Sequence, residues 1–160
     1  MSAQRILNTR FWSDPFIQGL SPNERYLFLY FLTNEHTNIA GIYEMSMGTI
    51  CFETGISEPE VNDILKKFNN KIVYYNGYII VKNFYKHQSK SPKITGGIAI
   101  IIRELPDKIM NKLSEINFPL SSFEKEKIII NKLNNFRKTK PTTDVDGFAE
   151  IGKMIKPIIQ

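Results

Sequence analysis

Lys71, Lys82, Lys86, His87, Lys90 and Lys93 stand in a stretch with no carboxylate to neutralise them. Residues 71–103 hold six Lys/Arg against no Asp/Glu, whereas residues 1–70 hold five against eight. Ammonium groups repeated in this way suit phosphate oxygens. Just upstream, Asn62, Lys66 and Lys67 lie opposite the apolar stripe of a helical segment. Asparagine and lysine can hydrogen-bond adenine and guanine edges, and Lys66, Lys67 and Lys71 can meet the backbone. Tyr75, Tyr78 and Tyr85 add ring faces on which unstacked bases can lie. The implied chemistry is DNA binding, to single strands or to duplex, rather than catalysis.

Enzyme signatures are missing from the sequence. It has no phosphate-cradling glycine loop, no ligand-spaced His/Asp/Glu group and no nucleophile motif. One cysteine and two histidines do not make a Cys/His zinc site. Cys51 reads as a small core residue and His36 as a loop residue held by local hydrogen bonds. No catalytic residue, metal or cofactor is expected.

These side chains need a scaffold, and residues 46–84 spell one. Ser46 caps a helix over Met47–Thr54, with Ile50 and Cys51 pointing inward. Gly55 is suited to the left-handed residue that ends it, and Ser57 with Glu60 reads as a capping box for the next helix. That helix buries Val61, Ile64, Leu65 and Phe68 at i, i+3, i+4, i+7 spacing. Ile72–Tyr75 and Tyr78–Val81 flank Asn76-Gly77, the pair suited to a type I′ turn. Helix, turn, helix and hairpin in this order predict a winged helix-turn-helix. A short strand around Ile39–Tyr43 completes a three-stranded antiparallel sheet. The expected class is α+β, mostly helical, with further helices after the wing.

Upstream, Asp14-Pro15 predicts a helical turn over Pro15–Gln18, and Ser21-Pro22-Asn23-Glu24 opens a helix through about Leu32. That helix is apolar nearly all round, which places it at the centre of the domain. Downstream, residues 84–93 read as an extended surface linker. Ile94–Leu105 is ambiguous between strand and helix, Gly96-Gly97 weakening its start. Asp107–Ile116 and Phe123–Phe136 read as amphipathic helices. The expected divisions are a winged-helix domain over 1–88, a basic linker and helical extension over 89–136, and a flexible linker with a terminal segment over 137–160. In the last segment, Phe148, Ile151, Met154 and Ile155 have the spacing of a helix that docks on a partner or packs on its own domain.

No apolar run approaches the roughly 20 residues of a membrane span. The N-terminus also lacks the charged and apolar regions of a secretory signal. A bacterial cytoplasm is the expected location.

Several short motifs add a resemblance. Phe11-Trp12-Ser13-Asp14, Leu32-Thr33-Asn34, His36-Thr37-Asn38, Ala40-Gly41-Ile42-Tyr43, Glu53-Thr54-Gly55, Val81-Lys82-Asn83-Phe84, Lys86-His87-Gln88, Ser91-Pro92-Lys93 and Glu104-Leu105-Pro106 together cover about residues 10–106. As a set they resemble the N-terminal winged-helix part of phage replication-initiation proteins, the replisome organisers akin to the primosomal protein DnaD. The resemblance implies DNA binding, self-association as a homodimer, and recruitment of a helicase loader or helicase. The larger members continue into a helical domain with its own DNA-contacting motif, which this sequence does not show. A short organiser, a transcriptional regulator, and an interaction module that binds or blocks a replication protein all fit. Two binding modes stand open: groove reading by the second helix, whose leading half carries Glu58, Glu60 and Asp63, or binding led by the wing and the basic segment after it.

Overall fold

Asp14, Ser21 and Ser91 each stand directly before a proline, and each starts a helix. The side-chain oxygen accepts an orphan backbone N–H while the proline supplies a helical φ where no donor is needed. In the computed structural model, which describes residues 5, 7–69, 71–121 and 123, these helices are α1 (Pro15–Gln18), α2 (Pro22–Thr33) and a helix over Pro92–Arg103. Asp14 accepts from the Phe16 N–H at 2.8 Å, and Ser91 from the Ile94 N–H at 3.4 Å. A 3-10 turn over Thr9–Ser13 precedes α1.

Between α2 and the Pro92 helix lies the winged part. Strand β1 is Ile42–Glu44, α3 is Met47–Thr54 and α4 is Glu58–Lys67; strands β2 (Ile72–Tyr75) and β3 (Tyr78–Val81) form the hairpin. The sheet is antiparallel with order β1-β3-β2, and Ile42 faces Ile80 while Val73 faces Ile80 from the other side. Asn76 and Gly77 take φ of 49° and 79°, the left-handed pair of the expected turn. The Pro92 helix is α5, and α6 follows over Asp107–Glu115. All these elements belong to the first of two units, which ends at Phe118. The expected boundary at residue 88 falls inside it.

Leu27 and Phe31 of α2 are fully buried, and Ile50, Val61, Ile64, Phe68, Ile72 and Ile79 close around them. This is the core that the apolar α2 and the α4 stripe predict, with Leu65 and Cys51 at its margin. The sheet is also covered on its second face. Ile42 and Ile80 lie opposite each other there and are fully buried. On that same face the Lys112 ammonium of α6 sits 5.2 Å from the Tyr75 ring centre. The buried stripes Ile98 and Ile102 of α5, and Ile109 and Leu113 of α6, supply the apolar surface such a cover needs.

Three local expectations are corrected. Ser57 stands at the start of α4 but makes no side-chain cap bond. Glu60, its expected partner, instead accepts from the Asn23 amide at 2.8 Å, tying α4 to the start of α2. Residues 84–93 are not an extended linker: Phe84–His87 form a 3-10 turn with Phe84 buried, and Pro92 already belongs to α5. Finally, β1 begins at Ile42 because Gly41 takes a left-handed φ of 70°. A Cβ at Gly41 would lie 2.4 Å from the Phe84 Cβ, so the residue after the wing fits only against a glycine. Gly97 is similar on α5, where a Cβ would reach within 2.8 Å of Ile39 Cδ1; its place in the helix reflects close packing rather than a break. Of the helix expected over Phe123–Phe136, only Phe123 is described, and it is helical. Phe148, Ile151, Met154 and Ile155 lie outside the described residues.

Gly55 shares the φ of Gly41, 72° against 70°, yet has nothing within 4 Å of a would-be Cβ. Gly55→Ala should therefore cost only the left-handed strain, about 1–2 kcal/mol. Gly41→Ala should add the collision with Phe84, for a total of about 2–5 kcal/mol. Equal midpoints for the two variants in urea denaturation would contradict the Gly41–Phe84 contact.

Candidate nucleic-acid interface

Helix α4 occupies the position of a recognition helix, so its exposed side chains set what it can read. Asn62 is exposed and without a side-chain partner among the described residues. Lys66 is held by Asp63 at 2.8 Å. Lys67 reaches back to Glu24 of α2 at 2.6 Å. Glu24 is only 6% exposed, and its other carboxylate oxygen accepts the Ser21 N–H at 2.8 Å, completing the α2 capping box. The Lys67 ammonium, followed by the Ser21 N–H, holds this carboxyl below its ordinary range. Lys67 is correspondingly raised by Glu24. The two α4 lysines are therefore occupied by carboxylates, and Glu58 and Glu60 stand at the leading end of the helix. Asn69, beyond the helix, is exposed with a left-handed φ of 47°.

The base of the wing is different. The Lys82 N–H donates to the Lys71 carbonyl at 2.9 Å, one step beyond the Ile72–Val81 pair. Two lysines thus open the hairpin directly opposite each other. Such like-charged cross-strand pairs are unfavourable unless an anion lies between them. Neither forms an ion pair among the described residues; the Lys71 ammonium instead rests 4.7 Å over the Phe16 ring. The 3-10 turn then presents exposed Lys86 and His87, the approach to α5 presents exposed Lys90, and the first turn of α5 presents exposed Lys93. These four also have no ion pair among the described residues. Arg103, at the far end of α5, is paired with Glu104 at 3.5 Å.

Two of the wing tyrosines have ring contacts of their own, although Tyr75 remains 39% exposed. The Tyr75 ring lies under Lys112, and Tyr85 packs against Phe118 at 5.5 Å with Lys86 over it at 5.9 Å. Burial raises the Tyr85 hydroxyl above its ordinary pKa. Two aromatic residues that composition alone does not flag are more exposed than Tyr26 or Tyr75: Trp12, 56% exposed, and Phe52 on α3, 90% exposed. Their signal is absent from periodicity because Trp12 precedes the first helix and Phe52 interrupts no apolar stripe.

One group among the described residues has metal-ligand chemistry in reach. The Glu35 and Glu53 carboxylates each lie 3.9 Å from His36 Nε2, and Glu53 also accepts from the Tyr30 hydroxyl at 2.7 Å. All three lie at the surface, where clustered acidic groups are common without a bound ion. The His36 backbone N–H donates to the Asn34 side chain at 3.0 Å, the local loop bond expected for this position. Cys51 is half-buried beside the core with no activating neighbour. No described helix is long and apolar enough to cross a membrane. No family model, no curated protein and no solved structure matches the chain.

Because the folded Glu24 carboxyl lies below its unfolded value of 4.5, it contributes stability above that pH and loses it as pH falls through the folded value. Glu24→Gln should melt lower than the parent at pH 7, and the two curves should converge as pH drops from about 5 towards 3. Thermal melts by circular dichroism across that range check it. Parallel curves would show that Glu24 is not held by Lys67.

Proposed function

We propose that this chain is a winged-helix DNA-binding protein that meets phosphates with the base of its wing and the segment after it, through Lys71, Lys82, Lys86, Lys90 and Lys93. The observation that supports the reading is the Lys71–Lys82 cross-strand pair. The two lysines open the hairpin opposite each other with no carboxylate paired to either among the described residues, so a phosphate at the base of the wing would have two cations within reach. Between the two binding modes the geometry favours the wing. Helix α4 offers Asn62 to a groove, but its lysines already neutralise acids of this same chain.

The resemblance to phage replisome organisers extends the proposal. In that reading the protein marks replicating DNA as a homodimer and brings helicase-loading machinery to it, in the host cytoplasm. A second reading, a protein-interaction module, draws support from Phe52. A phenyl ring that is 90% exposed on a well-formed helix is a natural anchor for another protein.

Fluorescence anisotropy with labelled oligonucleotides between about 50 and 300 mM salt tests the primary reading. Five phosphate contacts give a slope of log K against log salt of about −3.5 to −4.5. Alanine at all five lysines should abolish binding, whereas alanine at Lys66 and Lys67 should leave the slope within about one unit of the parent. Absence of binding at low salt overturns the DNA reading. Loss confined to the Lys66/Lys67 variant moves the interface to α4.

A further inference from the structure

We propose that Trp12 is a stacking platform for an unpaired base, so that the strand held at the base of the wing is single-stranded; this rests on the DNA reading above. Trp12 is 56% exposed, yet its surroundings are fixed. Its carbonyl accepts from the Gln18 amide at 3.5 Å, and its ring meets Phe11 edge-on at 5.0 Å. Phe11 packs against Phe28, Phe28 against Phe16, and the Lys71 ammonium lies over Phe16. An unbroken run of ring contacts thus links the exposed indole to Lys71, and the Lys71 carbonyl is bonded to the Lys82 N–H.

The turn that carries the indole holds one cation, with one carboxylate next to it in sequence. Arg10, exposed in the same 3-10 turn, makes no ion pair among the described residues. Asp14, the nearest carboxylate in sequence, is engaged by the Phe16 N–H at 2.8 Å. The indole thus offers a flat face in the same turn as the cation Arg10, and the run of rings behind it ends at the cation Lys71. Stacking of this kind is tolerant of sequence, because every base has a π face. Duplex DNA keeps its bases inside the helix and offers the indole nothing equivalent. Trp12 is more open than Tyr75, at 56% against 39% exposed, and Tyr85 packs against Phe118.

Trp12 is the single tryptophan of the chain, so its emission reports this position alone. The full chain would be titrated with oligothymidine of about 15 nucleotides and with a duplex of equal length, following emission and anisotropy together. The expected result is quenching by the single strand and not by the duplex. Trp12→Ala should weaken single-strand binding about 5- to 100-fold, Trp12→Phe should restore most of it, and duplex binding should be unchanged in both. Single-strand binding without quenching, equal quenching by the duplex, or full affinity in Trp12→Ala each overturns the stacking proposal while the DNA reading stands. No binding of either oligonucleotide at low salt overturns both. Quenching of the unaltered chain decides the matter even if a variant fails to fold.

Discussion

Glu24 is a nearly buried carboxylate with two partners, and the orientation of the winged part follows from how it is satisfied. One oxygen accepts the Ser21 N–H and closes the start of α2; the other accepts the Lys67 ammonium from the end of α4. A buried carboxylate left without either would be strongly unfavourable, so the two helices are constrained together at this point. Asn23 adds a second tie to Glu60. The consequence is functional as well as structural. With Lys67 paired to Glu24 and Lys66 to Asp63, the exposed face of α4 has little unneutralised positive charge. The surface able to meet phosphates lies instead where the hairpin begins and ends.

That second surface depends on Gly41 and Phe84. The chain leaving the wing turns at once into a 3-10 turn, with Phe84 inserted against a glycine that has no Cβ to exclude it. The hairpin ladder sets Lys82 beside Lys71, and the turn anchored by Phe84 carries Lys86 and His87. Cations on an ordered backbone lose less freedom when they bind than cations on a flexible one, so preorganisation favours this segment. The second face of the sheet is buried where Ile42 and Ile80 meet, and Lys112 of α6 reaches that face at Tyr75.

Much of this was legible in the sequence because it is written in local rules. Asp14-Pro15, Ser21-Pro22 with Glu24, Gly55 and Asn76-Gly77 each act within four residues, and the structure shows helices and a turn at all of them. The Val61, Ile64, Phe68 stripe is read from period alone and is buried as expected. What was illegible depends on partners distant in sequence. Glu60 abandons its own cap for Asn23, 37 residues away. Lys67 serves Glu24, 43 residues away, and so differs from Lys82 although both read simply as lysines on a basic protein. Gly96-Gly97 weakens a helical reading in sequence, yet Gly97 sits inside α5 and packs against Ile39. Ser91-Pro92 carried the same start signal as Ser21-Pro22, but the polar residues before it masked its meaning.

The central claim is that nucleic acid meets the base of the wing and not the exposed face of α4. Backbone amide chemical shifts of the isotopically labelled chain, followed during titration with a short oligonucleotide, test it residue by residue. The account predicts the largest changes at Lys71, Lys82, Lys86 and His87, with Asn62 and Lys66 nearly still. Changes concentrated on Asn62, Asp63 and Lys66, with the wing base unmoved, would contradict it.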